Sequence, residues 1–195
     1  IHDRRQRQMC IRDSLYTDEA ILRAIECGIR SLEHCNLITS ETARLAAQMG
    51  CIACPTLITY DKLKSEGASM GLPPASISKV DDVRLRGLES LTIMQDAGLP
   101  MAYGSDLLGG MQPHQSGEFE LRGQVLSPLT VIRSTTVIAA ELLRMEGLIG
   151  TLQPGAFADL ILLERNPLED LSIFSGQGEG IKTIVKDASI VKHLS

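Results

Sequence analysis

The sequence predicts an α/β fold, on two observations. From Thr17 onward, a stretch with helical apolar spacing is followed by a glycine and then by a short apolar run, three times over, and each run ends on polar residues. Alternating helix and short apolar strand implies a parallel sheet. After about residue 146 the texture changes: glycines punctuate short apolar runs, which predicts a small β module. A doubly wound sheet and a β/α barrel both satisfy the first pattern. Three units are too few to close a barrel, so a barrel would be present only in part.

The elements follow in order. Residues 1–14, IHDRRQRQMCIRDS, carry four arginines and no apolar periodicity. The run Met9 to Ser14 resembles a translated sequencing-library adapter, so 1–14 is set apart from the fold as non-native, along with His2 and Cys10. The first unit opens at Thr17, a helix cap followed by Asp18 and Glu19, where acids favour the dipole. Ile21, Leu22, Ala24 and Ile25 form its stripe, Gly28 ends it, and Ile29 to Leu32 is a strand that stops at Glu33-His34. The second unit starts at Ser40, is stopped by Gly50, and continues as a strand from Cys51 to Cys54 that ends at Pro55-Thr56. The third begins with a polar, glycine-punctuated stretch from Thr56 to Pro74, read as mainly loop. A long helix follows from Ser76 to Ala97, then Gly98 and a strand from Leu99 to Tyr103. Helices are expected over 116–125 and from Ser127-Pro128 to about Met145, with proline at the first helical position. Beyond 146, strands are expected at Ala158 to Leu163, Ile181 to Val185 and Ile190-Val191, the last two around a Lys186-Asp187 turn.

Composition bounds the function. The 195 residues are 44% hydrophobic and 22% charged, ordinary for a globular protein. A net charge of −5 and the lack of a basic stripe argue against nucleic acid. Aromatic residues make up 3% and tryptophan is absent, which argues against stacking platforms for sugars or single strands. No apolar run is long enough for a membrane helix and no signal-peptide pattern opens the chain. Five scattered cysteines read as reduced thiols, and a cytoplasmic location is expected.

Chemistry is concentrated at the strand ends. The run Leu99 to Tyr103 stops abruptly at Gly104-Ser105-Asp106. A carboxylate at the tip of a buried strand is costly unless paired or bound to a cation, and β/α barrels build active sites at that position. Asp106 is therefore the leading catalytic or metal-binding carboxylate, with a loop cap as its ordinary alternative. His34 stands at another strand end. A neutral imidazole and a carboxylate suit zinc, manganese or iron, although a catalytic zinc has at least three protein ligands. His114 follows in a glycine-rich loop after Asp106, where loops commonly hold substrate. Cys51 and Cys54 have the spacing of a redox or zinc pair, but without a second pair and within an apolar strand they read as core. Gly104-Ser105-Asp106 lacks the nucleophile-elbow pattern, and Gly109-Gly110 is no phosphate loop.

Four phrases together resemble the metal-dependent amidohydrolase superfamily, in its branch of imidazolonepropionase-like and Xaa-Pro dipeptidase-like proteins. They are Tyr16 to Ala20, Gly28 to His34, Ala102 to Asp106, and Gly150 to Leu160. The resemblance implies the C-terminal part of a TIM-like (β/α)8 barrel, about strands 6–8, over residues 15–145, and a piece of a small composite β-sandwich over 146–195. It implies that His34 is the metal ligand ending strand six. Asp106 would be the aspartate ending strand eight, which binds metal and shuttles the proton of the attacking water. His114 would lie in a substrate-facing loop. Tyr16, in a phrase that reads His-x-Tyr-Thr in relatives, would face the substrate.

The implied cofactor is a divalent metal, zinc first, with one or two ions in the intact protein. The implied reaction is hydrolysis of a carbon–nitrogen bond in a small amide or dipeptide by metal-activated water. No nucleic acid or membrane partner is implied, and a homo-oligomer stays open. The family's His-x-His pair and bridging lysine would lie upstream, and its strand-five histidine would fall at Ser14. The chain thus keeps two of the expected ligands, and alone it is expected to bind metal weakly and to catalyse little or nothing. The rival reading is a non-catalytic α/β small-molecule binding domain. A sugar-phosphate isomerase barrel is disfavoured by the β-sandwich phrase.

Overall fold

The computed structural model describes residues 14–69 and 71–194. Most of the adapter-like opening therefore lies outside the described residues. The chain divides into two compact units that meet between Asp106 and Leu107, and the change of texture near 146 falls inside the second.

The first unit is a parallel sheet with helical connections. Strands β1 (Ser14–Thr17), β2 (Ser31–Leu37) and β3 (Ile52–Cys54) lie side by side in that order. A parallel bridge from Ala53 to Met101 adds a fourth position: Ala53 donates its N–H to the Pro100 carbonyl at 2.9 Å, and Ala102 donates to the Ala53 carbonyl at 2.8 Å. Between them run α1 (Asp18–Glu26), α2 (Ser40–Gln48), α3 (Leu57–Glu66) and α4 (Pro74–Asp96).

The three glycine corners are one device used three times. Gly28, Gly50 and Gly98 all have positive φ, at 79°, 68° and 70°. Each donates its N–H to the carbonyl three residues back, and the following residue donates to the carbonyl five back. This is the Schellman termination, which needs a left-handed residue and so selects glycine. At the other ends, Thr17 caps α1 through Ala20 N–H and Thr39 caps α2 through Thr42 N–H. Asp18 also accepts from Thr39 N–H at 2.8 Å and from the Thr42 hydroxyl at 2.9 Å, joining the start of α1 to that of α2. The buried faces of these elements form the core, with Ile21, Leu32, Ala43, Ala46, Ala53, Leu91, Met94 and Ala102 at its centre.

Several expectations need correction. β1 is a strand that the apolar pattern misses, because its four residues are too short to show alternation. β2 does not stop at Glu33-His34 but runs on to Leu37 through an irregularity. Leu15 lies opposite His34 while Thr17 lies opposite Leu37, so β2 carries an extra residue there. The expected strand 99–103 makes only the bridge at Met101. Much of the expected loop 56–74 is the helix α3, whose first four residues are all buried, so it shows no amphipathic stripe.

The second unit opens with a 3-10 turn at Gly109–His114 and continues with α5 (Gly117–Gly123), α6 (Pro128–Thr135) and α7 (Val137–Leu142). Where one helix was expected to reach Met145, the chain breaks at Thr136. The Thr135 and Thr136 hydroxyls both donate to the Ile132 carbonyl, at 2.8 and 2.9 Å, and Thr136 leaves helical geometry with φ −119° and ψ −94°. Ser127 caps α6 through Thr130 N–H at 3.2 Å, and Phe119 stacks on Phe174 with ring centres 4.2 Å apart. An antiparallel sheet of β4 (Leu160–Leu163), β5 (Ile181–Lys186) and β6 (Ser189–His193) completes the unit. Asp187 and Ala188 both take positive φ in the two-residue turn joining β5 to β6, and Asp159 accepts the Asp187 N–H at 2.7 Å. No helix among the described residues is long and apolar enough to cross a membrane.

Candidate active site

The residues that could act chemically stand at successive positions across the parallel sheet of the first unit. Tyr16 is on β1, His34 on β2, Thr56 two residues after β3, and Asp106 five residues after the Met101 bridge. Glu33 lies opposite Cys54, the last residue of β3, so His34 is one residue past the level at which β3 stops. The site therefore occupies the carboxyl ends of parallel strands, the edge on which α/β folds commonly place ligands.

The backbone there is unusual. Among the described residues of this unit, the non-glycine residues with positive φ are His34 at 71°, Cys35 at 56° and Asp106 at 49°. Left-handed backbone costs an ordinary L-residue roughly 1–2 kcal/mol, and it persists only where the surroundings impose it. Both residues singled out from the sequence as metal ligands are in this state.

His34 is held on several sides. It is buried, with 6% of its surface exposed. Its Nδ1 is 2.8 Å from Thr56 Oγ1, and the Tyr16 ring lies on it with centres 4.6 Å apart and planes 9° from parallel. This leaves Nε2 directed toward Asp106, whose Oδ2 is 4.0 Å away. Burial lowers the imidazole's affinity for a proton, and the opposing pull of the Asp106 and Glu33 charges does not cancel it. His34 is thus a neutral imidazole at neutral pH, the form that binds metals.

Asp106 has a half-exposed side chain, open to solvent where His34 is not. Its carbonyl oxygen accepts a hydrogen bond from the Thr59 hydroxyl at 3.1 Å. Tyr60, one residue on, is buried, and its ring meets Tyr16 edge-on with centres 6.2 Å apart. Its hydroxyl reaches no hydrogen-bond partner among the described residues, although the Tyr16 and Thr56 hydroxyls are close by. Burial first, then Tyr16 and the Asp106 charge, push its pKa up, so it stays a neutral phenol.

The donor set suits a divalent cation in part. Donors bound to one ion at about 2.1 Å stand roughly 3–4 Å from each other, and Nε2 and Oδ2 meet that spacing at 4.0 Å. The engagement of Nδ1 by Thr56 is the outer arrangement that ligating histidines use to fix ring orientation. No group of three or more His, Cys, Asp or Glu side chains able to hold a metal occurs among the described residues, so the pair could contribute to a centre but not complete one.

Tyr16, His34 and Asp106 are thus brought together in the first unit, whereas His114 belongs to the second, at the end of its 3-10 turn. Cys51 and Cys54 are buried and form no disulfide. Sequence reasoning missed Thr56, Thr59 and Tyr60. The signal for Thr56 was available, since the repeat ends its second strand on Pro55-Thr56 just as it ends the others on His34 and Asp106. Thr59 and Tyr60 gave none, because they were assigned to loop.

The profile of the amidohydrolase family matches residues 18–169. The chain belongs to the amidohydrolase family. A crystallised amidohydrolase is 48% identical to it and superposes with a TM-score of 0.89, over 92% of this chain and 43% of that one. A crystallised prolidase in complex with N-methylphosphonate-L-proline is 44% identical, also with a TM-score of 0.89, over 92% of this chain and 44% of the prolidase. Among curated proteins, ochratoxinase from Aspergillus niger is 28% identical over 155 residues, 79% of this chain and 32% of that enzyme. The chain thus spans about a third of the curated enzyme and under half of the solved chains. Its mixed α/β fold is like that of amidohydrolase barrel proteins.

Proposed function

We propose that this amidohydrolase chain carries part of the catalytic centre of a metal-dependent hydrolase of carbon–nitrogen bonds, acting on small amides or dipeptides. Dipeptides ending in proline come first. The observation that carries the reading is the pair His34 Nε2 and Asp106 Oδ2, 4.0 Å apart at the carboxyl edge of a parallel sheet, both on left-handed backbone. The 44% identity to a prolidase supports the choice of substrate class, and the metal dependence typical of the family supports the cofactor.

His34 and Asp106 would hold a divalent cation, zinc first, together with ligands from outside the described residues. Such a cation supplies Lewis acidity to a water molecule and to the scissile carbonyl when bound. The half-exposed Asp106 carboxylate takes the proton of the attacking water on Oδ1, the oxygen left by the cation, and returns it to the leaving nitrogen. Neutral His34 donates its Nε2 lone pair and does not compete for that proton. Tyr16, 36% exposed above the His34 ring, presents its phenol to the substrate, and the buried Tyr60 ring backs it edge-on.

The test is metal content by elemental analysis, on this chain and on the full-length protein with its upstream sequence. The full-length protein is expected to hold one or two zinc-like ions and this chain almost none. His34→Ala and Asp106→Ala should each lower the metal content of the full-length form and its hydrolysis of a dipeptide panel. A metal-free full-length protein would replace this reading with that of an α/β binding domain.

A further inference from the structure

Helix α3 begins at the site, and its cap residue turns its hydroxyl to the site; Ser116 and Thr136, before α5 and α7, also make no side-chain capping bond, but the Thr56 hydroxyl goes to His34. Thr17, Thr39 and Ser127 each spend a side-chain oxygen on a backbone N–H of the helix they start. Thr56 stands at the same position before α3, yet its side chain makes no capping bond. Its hydroxyl meets His34 Nδ1 at 2.8 Å instead. Three residues on, on the same helical face, Thr59 turns its hydroxyl to the Asp106 carbonyl at 3.1 Å. Both threonines are buried, at 4% and 5% exposure, and both contacts are long in sequence, 22 and 47 residues apart.

We propose that Thr56 and Thr59 are positioning residues that set the two ligand-bearing strand ends in register with each other. One turn of one helix grips the side chain of His34 and the main chain of Asp106. These are the residues whose left-handed backbone needs outside support. The His34 ring can still swing about its side-chain bonds, and the Thr56 hydroxyl stops that swing with Nε2 facing Asp106. The Asp106 carboxylate is half exposed, and Thr59 fixes the carbonyl of the same residue, so the carboxylate starts from a fixed root. Because α3 is one rigid element, a shift at either grip moves both donors relative to each other. A hydroxyl lost from helix capping for this purpose is a local cost spent on the geometry of the site.

The proposal rests on the metal reading above, and the experiment separates the two. Full-length protein, freed of metal, is titrated with cobalt(II), whose visible absorption reports both affinity and coordination geometry. Thr56→Val and Thr59→Val remove the hydroxyls at nearly constant shape. Each should weaken cobalt binding about 10-fold or more and alter the visible band, whereas Thr56→Ser and Thr59→Ser should restore both. Thr56→Ala and Thr59→Ala carry the same test if the valine variants do not fold. Wild-type cobalt affinity and spectrum in the hydroxyl-free variants, even with a lowered melting temperature, would make the threonines purely structural and overturn the proposal. Failure of the wild-type protein to take up cobalt would overturn the metal reading, and this proposal with it.

Discussion

At Gly104 a methyl group has nowhere to go. A Cβ built there stands 2.6 Å from Cys54 Sγ and 3.4 Å from Thr56 Cγ2. The backbone on its way to Asp106 therefore passes against the end of β3, and the closeness of that passage fixes where Asp106 emerges. Gly104→Ala should destabilise the fold by about 1–3 kcal/mol, as overpacking of a tight interior does. Adding Cys54→Ala should return part of that loss, since the sulfur is the nearest obstacle. Denaturant midpoints of the two single variants and the double variant test this, and simple additivity would show that the sulfur is not what resists. At the same scale, the sequence exposed His34 and Asp106 because each is a metal-binding residue type standing where an apolar run ends. It could not expose the threonines. A hydroxyl that meets a histidine ring and one that caps a helix are the same residue before the same kind of segment, and only the fold decides which bond is made.

At the scale of elements, the second unit contains a buried ion pair that pattern reading does not reveal. Glu118 and Arg122 lie one turn apart on α5 with fully buried side chains. The Arg122 Nε donates to Glu118 Oε1 at 2.8 Å, and Nη1 donates to the Ser134 hydroxyl on α6 at 3.4 Å. In the sequence they look like an ordinary solvated pair at helical spacing. Burial changes their energetics, because removing one charge strands the other away from water. Arg122→Met should cost about 3–5 kcal/mol, and the double change Glu118→Leu with Arg122→Met clearly less. Urea unfolding of both variants decides it; an equal or larger loss in the double variant would show that packing, not charge, dominates. The element boundaries that reading placed well have local causes visible in the chain, such as the glycine terminations at Gly28, Gly50 and Gly98. Those it misplaced have causes that depend on partners. The overrun of β2 needs β1 beside it, and the break at Thr136 needs two hydroxyls competing for one carbonyl.

For the whole molecule, the repeat of helix, glycine and strand made the α/β class legible. It could not choose between a doubly wound sheet and a barrel, because both present the same local pattern and differ in closure. Neither reading of the fold decides how much of the proposed metal centre this chain would carry, and linkage thermodynamics measures that directly. A cation that binds only the folded state stabilises it by about 2.7 kcal/mol at a hundred times its dissociation constant. In the full-length protein, zinc should therefore raise the melting temperature by several degrees, and Asp106→Ala should abolish the rise. In this chain, the described residues supply a pair of donors and no larger cluster. Its unfolded state, by contrast, exposes thiols such as Cys35, Cys51 and Cys54, which are buried and not disulfide-bonded in the folded state. Zinc then gains more from the unfolded chain than from the folded one, and the shift should be zero or negative. A rise of several degrees in this chain alone would mean that His34 and Asp106 already sit in a competent centre, and the division of the ligands between this chain and its upstream partner sequence would have to be redrawn.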